Sequence, residues 1–318
     1  MELTRDDIRR WALWSGKLLL AVLLLYLLLR NIEAAAIMNT IQAANPWLLA
    51  AAMLLLMPNV ILQLRKWGLL LRTVYPDIPV RDIRTSLLRG FTFGIFTPAR
   101  IGEFGGRATA VRGASVLTLM GLTAVDKLAT MLITVALGAA GLLVFCVQHP
   151  FMNPWLLAFA ETAILITAAT GLHLAWKRNI KHGEKRNATS RGRLQKLFSA
   201  LQRIDSAVRR RLLLLSLLFY LTFLTQFLLL LQAFGAVDML SALAGISTIM
   251  LVKTIIPPVT LGELGIREGA SVYVLGHAGV LAASAFSASL LLFAINILLP
   301  SLAGLFVLLR RPTSRASS

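Results

Sequence analysis

Two ten-residue stretches carry the side chains best suited to chemistry. Pro98-Ala99-Arg100-Ile101-Gly102-Glu103-Phe104-Gly105-Gly106-Arg107 and Pro258-Val259-Thr260-Leu261-Gly262-Glu263-Leu264-Gly265-Ile266-Arg267 share the pattern P-x-x-[I/L]-G-E-[F/L]-G-x-R. From Pro98 to Pro258 is 160 residues, about half of the 318-residue chain. Five identities and two conservative matches at fixed spacing, in a chain with only 14 acidic residues, mark an internal duplication. A second helix breaker precedes each motif, Gly94 in one case and Pro257 in the other. The Pro frees a backbone carbonyl, the Gly residues permit close backbone approach, and Glu and an Arg four residues later share a helix face. Arg100, Arg107 and Arg267 suit phosphate, which guanidinium binds bidentately. Glu103 and Glu263 would hold those arginines, or meet a cationic group or a proton. Each Glu–Arg pair could equally serve to staple its own segment closed, and the two roles are compatible.

The surroundings of these charges are apolar. Hydrophobic residues make up 57% of the chain and charged residues 14%, well under the roughly one quarter expected of a soluble domain. Mean hydropathy is +0.76. The apolar residues come in long blocks, and about 20 consecutive apolar residues cross a bilayer as a helix. Barrel strands would alternate apolar and polar residues, which these blocks do not. The expected fold is an all-α polytopic membrane protein forming a single membrane domain over 1–318. Six full spans are expected near 12–30, 46–64, 114–147, 155–176, 212–234 and 281–309. Two further segments, 87–112 and 241–279, are broken by Pro, Gly and charge. The start of the chain resembles a secretion signal, but the apolar stretch extends back through Trp11–Trp14 and more spans follow, so an uncleaved first span is expected. Trp11, Trp14, Trp47, Trp67, Trp155 and Trp176 fall near span ends, as interfacial anchors do.

The net charge of +18 resides in a few connections between spans, which argues against nucleic acid and for anionic lipid headgroups. Segment 177–211 has twelve Lys and Arg against Glu184 and Asp205, and 65–89 has six against Asp77 and Asp82. Segment 148–154 has none. Positive-inside logic places both termini, 65–89 and 177–211 in the cytoplasm, and 31–45, 148–154 and 235–240 outside, in an inner membrane. Segment 87–112 must then begin and end inside, and 241–279 must begin and end outside. Re-entrant hairpins dipping from opposite faces satisfy this, and matching motifs of opposite orientation are the mark of an inverted-topology repeat, with halves at about 46–147 and 212–309.

Further charges deserve separate readings. Lys253 lies in an apolar stretch just before the second motif, suited to a cavity role or to pairing with Glu263. Asp126 and Lys127 open the apolar core of their span, facing a cavity or each other. Glu161 reads as interfacial, His173 and Cys146 as ordinary span-end residues, and Glu268 as a cap on the second hairpin. One cysteine permits no internal disulfide, and nothing in the sequence suggests a metal site, a cofactor fingerprint or a nucleophilic triad.

At these motifs the chain resembles the membrane region of the lysylphosphatidylglycerol synthases, a flippase-like family. The resemblance rests on Thr97 to Glu103 with Arg107 and Gly113-Ala114-Ser115, on Val125-Asp126-Lys127-Leu128 where the family tends to have Glu-Arg-Leu, and on Pro257 to Gly265 with Arg267-Glu268-Gly269 and Gly279-Val280. It covers about 45–310. It implies a lipid translocase fold. In the large synthases this part moves an aminoacylated lipid that a separate soluble domain makes, and no such domain is expected here. The expected cargo is an amphiphile with a charged head, a modified phospholipid or a polyprenyl-linked intermediate. Its binding residues would be Arg100, Glu103, Arg107, Lys253, Glu263 and Arg267, with Asp126 and Lys127 in the cavity. The alternatives are a non-transporting accessory subunit of an envelope lipid or glycan enzyme, docked through 177–211, and an intramembrane transferase using Glu as base. A homo-oligomer is compatible with each.

Overall fold

A computed structural model of the chain describes residues 34–97, 100–111, 113–149, 205–235, 237–256 and 265–309. The described residues are helical, with no strand among them. The expected spans 12–30 and 155–176, Glu161, His173, Glu263 and most of segment 177–211 lie outside these residues.

The chain enters with α1 (Ala34–Gln42) and α2 (Pro46–Leu54). Asn45 caps α2, its side chain accepting from the Trp47 and Leu48 amides, and Pro46 sits where its missing N–H costs nothing. α2 continues into α3 (Leu56–Arg72) through a single break. Pro58 explains that break: it cannot donate to the carbonyl four residues back, and its ring crowds it. α4 (Val80–Ile95) and α5 (Gly102–Ala108) form the first hairpin, followed by the 33-residue α6 (Val116–Gln148). α7 (Ser206–Phe234) leads to the second hairpin, α8 (Met239–Ile255) and α9 (Ile266–His277). The last span is α10 (Ala282–Phe293) and α11 (Leu299–Leu309), joined by a π-helical turn at Ala294–Leu298. Pro300 withholds an N–H from the carbonyl of Asn296, so the ladder widens there.

Among the described residues, four helical runs are long and apolar enough to cross a membrane: Pro46–Arg72, Val116–Gln148, Ser206–Phe234 and Ala282–Leu309. They correspond to the four expected spans that fall on described residues. Polar and apolar residues are distributed as lipid demands. Leu54, Met57, Val147 and Leu281 are exposed while Asn59, Lys66, Glu103, Arg107 and Asp126 are buried.

Three expectations need correction. Span 46–64 runs on to Arg72, so Lys66 is a buried helical residue rather than a loop charge. The span beginning near 212 starts at Ser206, which makes Arg209, Arg210 and Arg211 part of its first turns and not of a loop. Trp47 is 81% exposed, as an anchor should be, whereas Trp67 is fully buried and donates through Nε1 to Ser86 Oγ at 3.1 Å.

The duplication extends to the elements. A shift of 160 residues carries Pro46–Arg72 onto 206–232, α4 onto 240–255 and α6 onto 276–308, close to α7, α8 and α10–α11. Packing partners correspond as well. α6 of the first half packs on α8 of the second, and α11 of the second packs on α4 of the first. Small residues bring both pairs close. A side chain on Gly138 or Gly141 would meet Leu251 or Ser247, and one on Gly304 would meet Leu88 and Thr92. Ser301 Oγ also donates to Phe91 O at 3.0 Å, and Thr92 Oγ1 to Ser301 O at 3.1 Å.

Candidate functional site

The first hairpin closes by mutual glycine contacts. A Cβ on Gly102 or Gly106 of α5 would strike the Phe93 or Arg89 carbonyl of α4. A Cβ on Gly90 would lie 2.7 Å from Arg107 Cγ and 3.2 Å from Glu103 Cγ. These glycines therefore make room for the Glu103 and Arg107 side chains between the two helices. Gly105 has nothing within 4 Å, so its expected role in close approach passes to Gly102 and Gly106. Thr97 holds the turn: its hydroxyl accepts from the Gly102 amide at 2.7 Å and lies 3.2 Å from Gly94 O. Arg100, at φ 53, occupies the left-handed region that non-glycine residues rarely adopt, at a cost of about 1 kcal/mol.

Glu103 and Arg107 then seed a network of six charged residues. Arg107 Nη2 donates to Glu103 Oε1 at 2.5 Å, and its Nη1 donates to Asp126 Oδ2 at 2.9 Å. Lys127 Nζ reaches Glu103 Oε2 at 2.6 Å, and Arg100 Nη2 lies 3.4 Å from the same oxygen. Lys66 Nζ is 2.9 Å from Asp126 Oδ1 and donates to Thr130 Oγ1 at 2.5 Å. The Arg107 guanidinium also stacks 4.7 Å from the Trp67 ring centre, and Arg107 O accepts from Ser86 Oγ at 2.8 Å. Three helices, α3, α5 and α6, thus meet through charge. Of the two readings of Asp126 and Lys127, both line the cavity, but their expected mutual pairing is not seen: each pairs with a residue of the first motif instead.

Burial decides what this network costs. Glu103 is fully buried, Arg107 and Lys66 nearly so, and the Lys127 side chain is the most open at 41%. Charges this deep are tolerated only when paired, and removing one partner of a buried pair costs about 3–5 kcal/mol. The six residues comprise four cations and two carboxylates, so the network retains positive charge even with both carboxylates paired.

That charge borders a cavity of about 350 Å³. Lys66, Arg100, Arg107, Asp126 and Lys127 line it, together with Lys253 of α8. A cavity of this size is at the lower end of those that hold small ligands. The rest of the wall is mixed: Asn59 and Gln63 of α3, Thr130 and Thr134 of α6 and Asn296 of the π turn stand among apolar residues such as Phe91, Met131, Phe223 and Met250. Gln63 Nε2 donates to Asn59 Oδ1 at 2.8 Å, and Asn296 Nδ2 donates to Gln226 Oε1 at 2.7 Å. Asn59, Gln63, Lys66 and Asn296 were not among the residues expected from the motifs. The signal for three of them was available: Asn59, Gln63 and Lys66 recur at helical spacing on one face of an otherwise apolar segment.

Of the second motif, Gly265, Ile266 and Arg267 fall on described residues. Arg267 does not line the cavity. Its Nη2 donates to Glu268 Oε1 at 2.7 Å, its Nε donates to Ser289 Oγ at 3.0 Å, and it lies 5.9 Å from the Phe293 ring centre. Glu268 Oε2 accepts from the Gly265 amide at 2.7 Å, so this carboxylate both caps α9 and holds Arg267. Lys253, read from sequence as a cavity residue or a partner of Glu263, stands at the cavity wall.

No curated protein compared with the chain matches it. The model of the family described as "Lysylphosphatidylglycerol synthase TM region" matches residues 14–304, nearly the whole chain and all of the site. With a helical membrane fold and the Arg-Ile-Gly-Glu hairpin at its centre, the chain belongs to the lysylphosphatidylglycerol synthase transmembrane-region family.

Proposed function

We propose that the chain is a lipid translocase, moving an amphiphile with a charged headgroup between the leaflets of an inner membrane. The observation that carries this reading is the cavity among the spans, walled by Lys66, Arg100, Arg107 and Lys127. Intramembrane charge facing a cavity is the usual signature of a pathway for a polar group. The exchange of packing partners between halves suits an inverted repeat, in which each hairpin rocks against the long helix of the other half. We take the Lys- and Arg-rich ends, including Arg72, Arg81 and Arg84, as cytoplasmic.

The test is reconstitution of the purified chain in vesicles with a headgroup-labelled phospholipid whose outer-leaflet fraction can be chemically quenched. Protein-dependent quenching of the inner pool is expected, and its loss is expected in the Lys127→Gln and Arg100→Gln variants. A folded, monodisperse chain that moves no lipid would sink this reading and favour an accessory subunit of an envelope enzyme.

A further inference from the structure

The cavity has two chemically different ends. Lys66, Arg107, Asp126 and Lys127 meet at one. Asn59 lies seven residues before Lys66 on the same face of α3, about 10 Å along the helix. Asn296 stands across the cavity from the other half of the molecule, in the π turn. Both Asn59, 1% exposed, and Asn296, 6% exposed, line the cavity, and each has one side-chain atom with no partner: Asn59 Nδ2 and Asn296 Oδ1. Their other amide atoms are engaged by Gln63 and by Gln226 and Leu292 O, which identifies the atom of each amide that is left over. A buried polar atom without a partner costs roughly 1–3 kcal/mol, so one donor and one acceptor have been kept there at a cost.

We infer that the cavity recognises a lipid headgroup joining a phosphate to a neutral hydroxyl-bearing group, and discriminates against headgroups that carry added ammonium groups. This rests on the lipid reading above. Phosphate suits the cationic end, where Arg100 and Lys127 face the cavity. A hydroxyl both donates and accepts, so a polyol or sugar satisfies Asn296 Oδ1 and Asn59 Nδ2 together. The lysyl ester keeps one free glycerol hydroxyl, so discrimination against it rests on charge. Lys66, Arg100, Arg107 and Lys127 outnumber Glu103 and Asp126 by two. A lysyl ester would bring two more positive charges into this setting.

The test compares three short-chain lipids on the intact chain in detergent by titration calorimetry. They are dihexanoyl phosphatidic acid, dihexanoyl phosphatidylglycerol and the lysyl ester of the latter. Phosphatidylglycerol is expected to bind about tenfold more tightly than phosphatidic acid, from two hydrogen bonds to buried amides, and more tightly than the lysyl ester by at least as much. Asn296→Leu and Asn59→Leu should erase the difference between the first two lipids. The ranking on the unaltered protein decides the matter even if these variants do not fold. A lysyl ester bound as tightly as phosphatidylglycerol, or phosphatidic acid bound as tightly, overturns the inference. The expected ranking without any transport in vesicles would sink the translocase reading and leave this one standing. Preferential transport of the lysyl ester would do the reverse.

Discussion

The arginines that end the two copies of the motif keep different company. In the first, α5 begins at Gly102, so Glu103 and Arg107 belong to one continuous helix and stand one turn apart. In the second, Gly265 takes φ 97 and α9 begins only at Ile266. Arg267, in the first turn of α9, pairs with the adjacent Glu268. The first site reaches outward through Arg107 to Asp126 and Lys66, and through Glu103 to Lys127. Around Arg267 the described contacts are local, with Glu268 and Ser289, and Glu268 in turn accepts from the Gly265 amide. Arg107 lines the cavity and Arg267 does not.

The largest effect that could break this contrast is at Glu103. Glu103→Gln leaves Arg100, Arg107 and Lys127 around a neutral amide, and the detergent-solubilised protein is expected to lose about 3–5 kcal/mol in chemical denaturation. Unchanged stability would mean the six-residue network is not held together as described.

Double neutralisation sharpens the comparison by removing both charges at once. Arg267→Gln with Glu268→Gln is expected to remain folded and to transport lipid within a few-fold of the unaltered chain. Glu103→Gln with Arg107→Gln is expected to fold but to transport none. Equal loss in both doubles would erase the functional distinction between the two copies.

A smaller effect separates two glycines within the first hairpin. Gly90→Ala presses a Cβ against Arg107 and should cost about 1–3 kcal/mol, because the side chain it meets is itself pinned by two carboxylates. Gly105→Ala meets nothing and should be neutral or stabilising by up to about 1 kcal/mol, since Ala favours a helix interior. Melting curves that rank the two the other way would contradict the hairpin geometry.

The smallest expected effect is at the connection before α8. The Ser241 amide and hydroxyl hold the Asp238 carboxyl below its ordinary range. A carboxylate lowered in the folded state contributes stability above its unfolded value, near pH 4, and loses it as pH falls through the lowered value. Asp238→Ala should therefore narrow the gap in melting temperature between neutral and strongly acidic solution. An unchanged pH profile would remove the cap from the account.

The helical membrane class, the broken segments and the pairing of Glu103 with Arg107 were all legible in the sequence, because they follow from local rules: apolar run length, helix breakers and the four-residue spacing of one helix face. Lys66 was not, since counting basic residues past an apolar run assigns them to a loop, whereas α3 continues to Arg72. Trp67 and Lys66 are neighbours in sequence and were both misplaced for that reason. Asp126 and Lys127 were visible as cavity candidates, but that one binds Arg107 and the other Glu103 depends on α5 lying against α6. Asn59 and Asn296 are 237 residues apart, and only the packing of the two halves brings them to one cavity. The sequence by itself determined which segments avoid water and where the chain must break. The tertiary structure alone decided which buried charges neutralise one another, because each carboxylate takes whichever cations packing delivers within hydrogen-bond reach, whatever their distance along the chain.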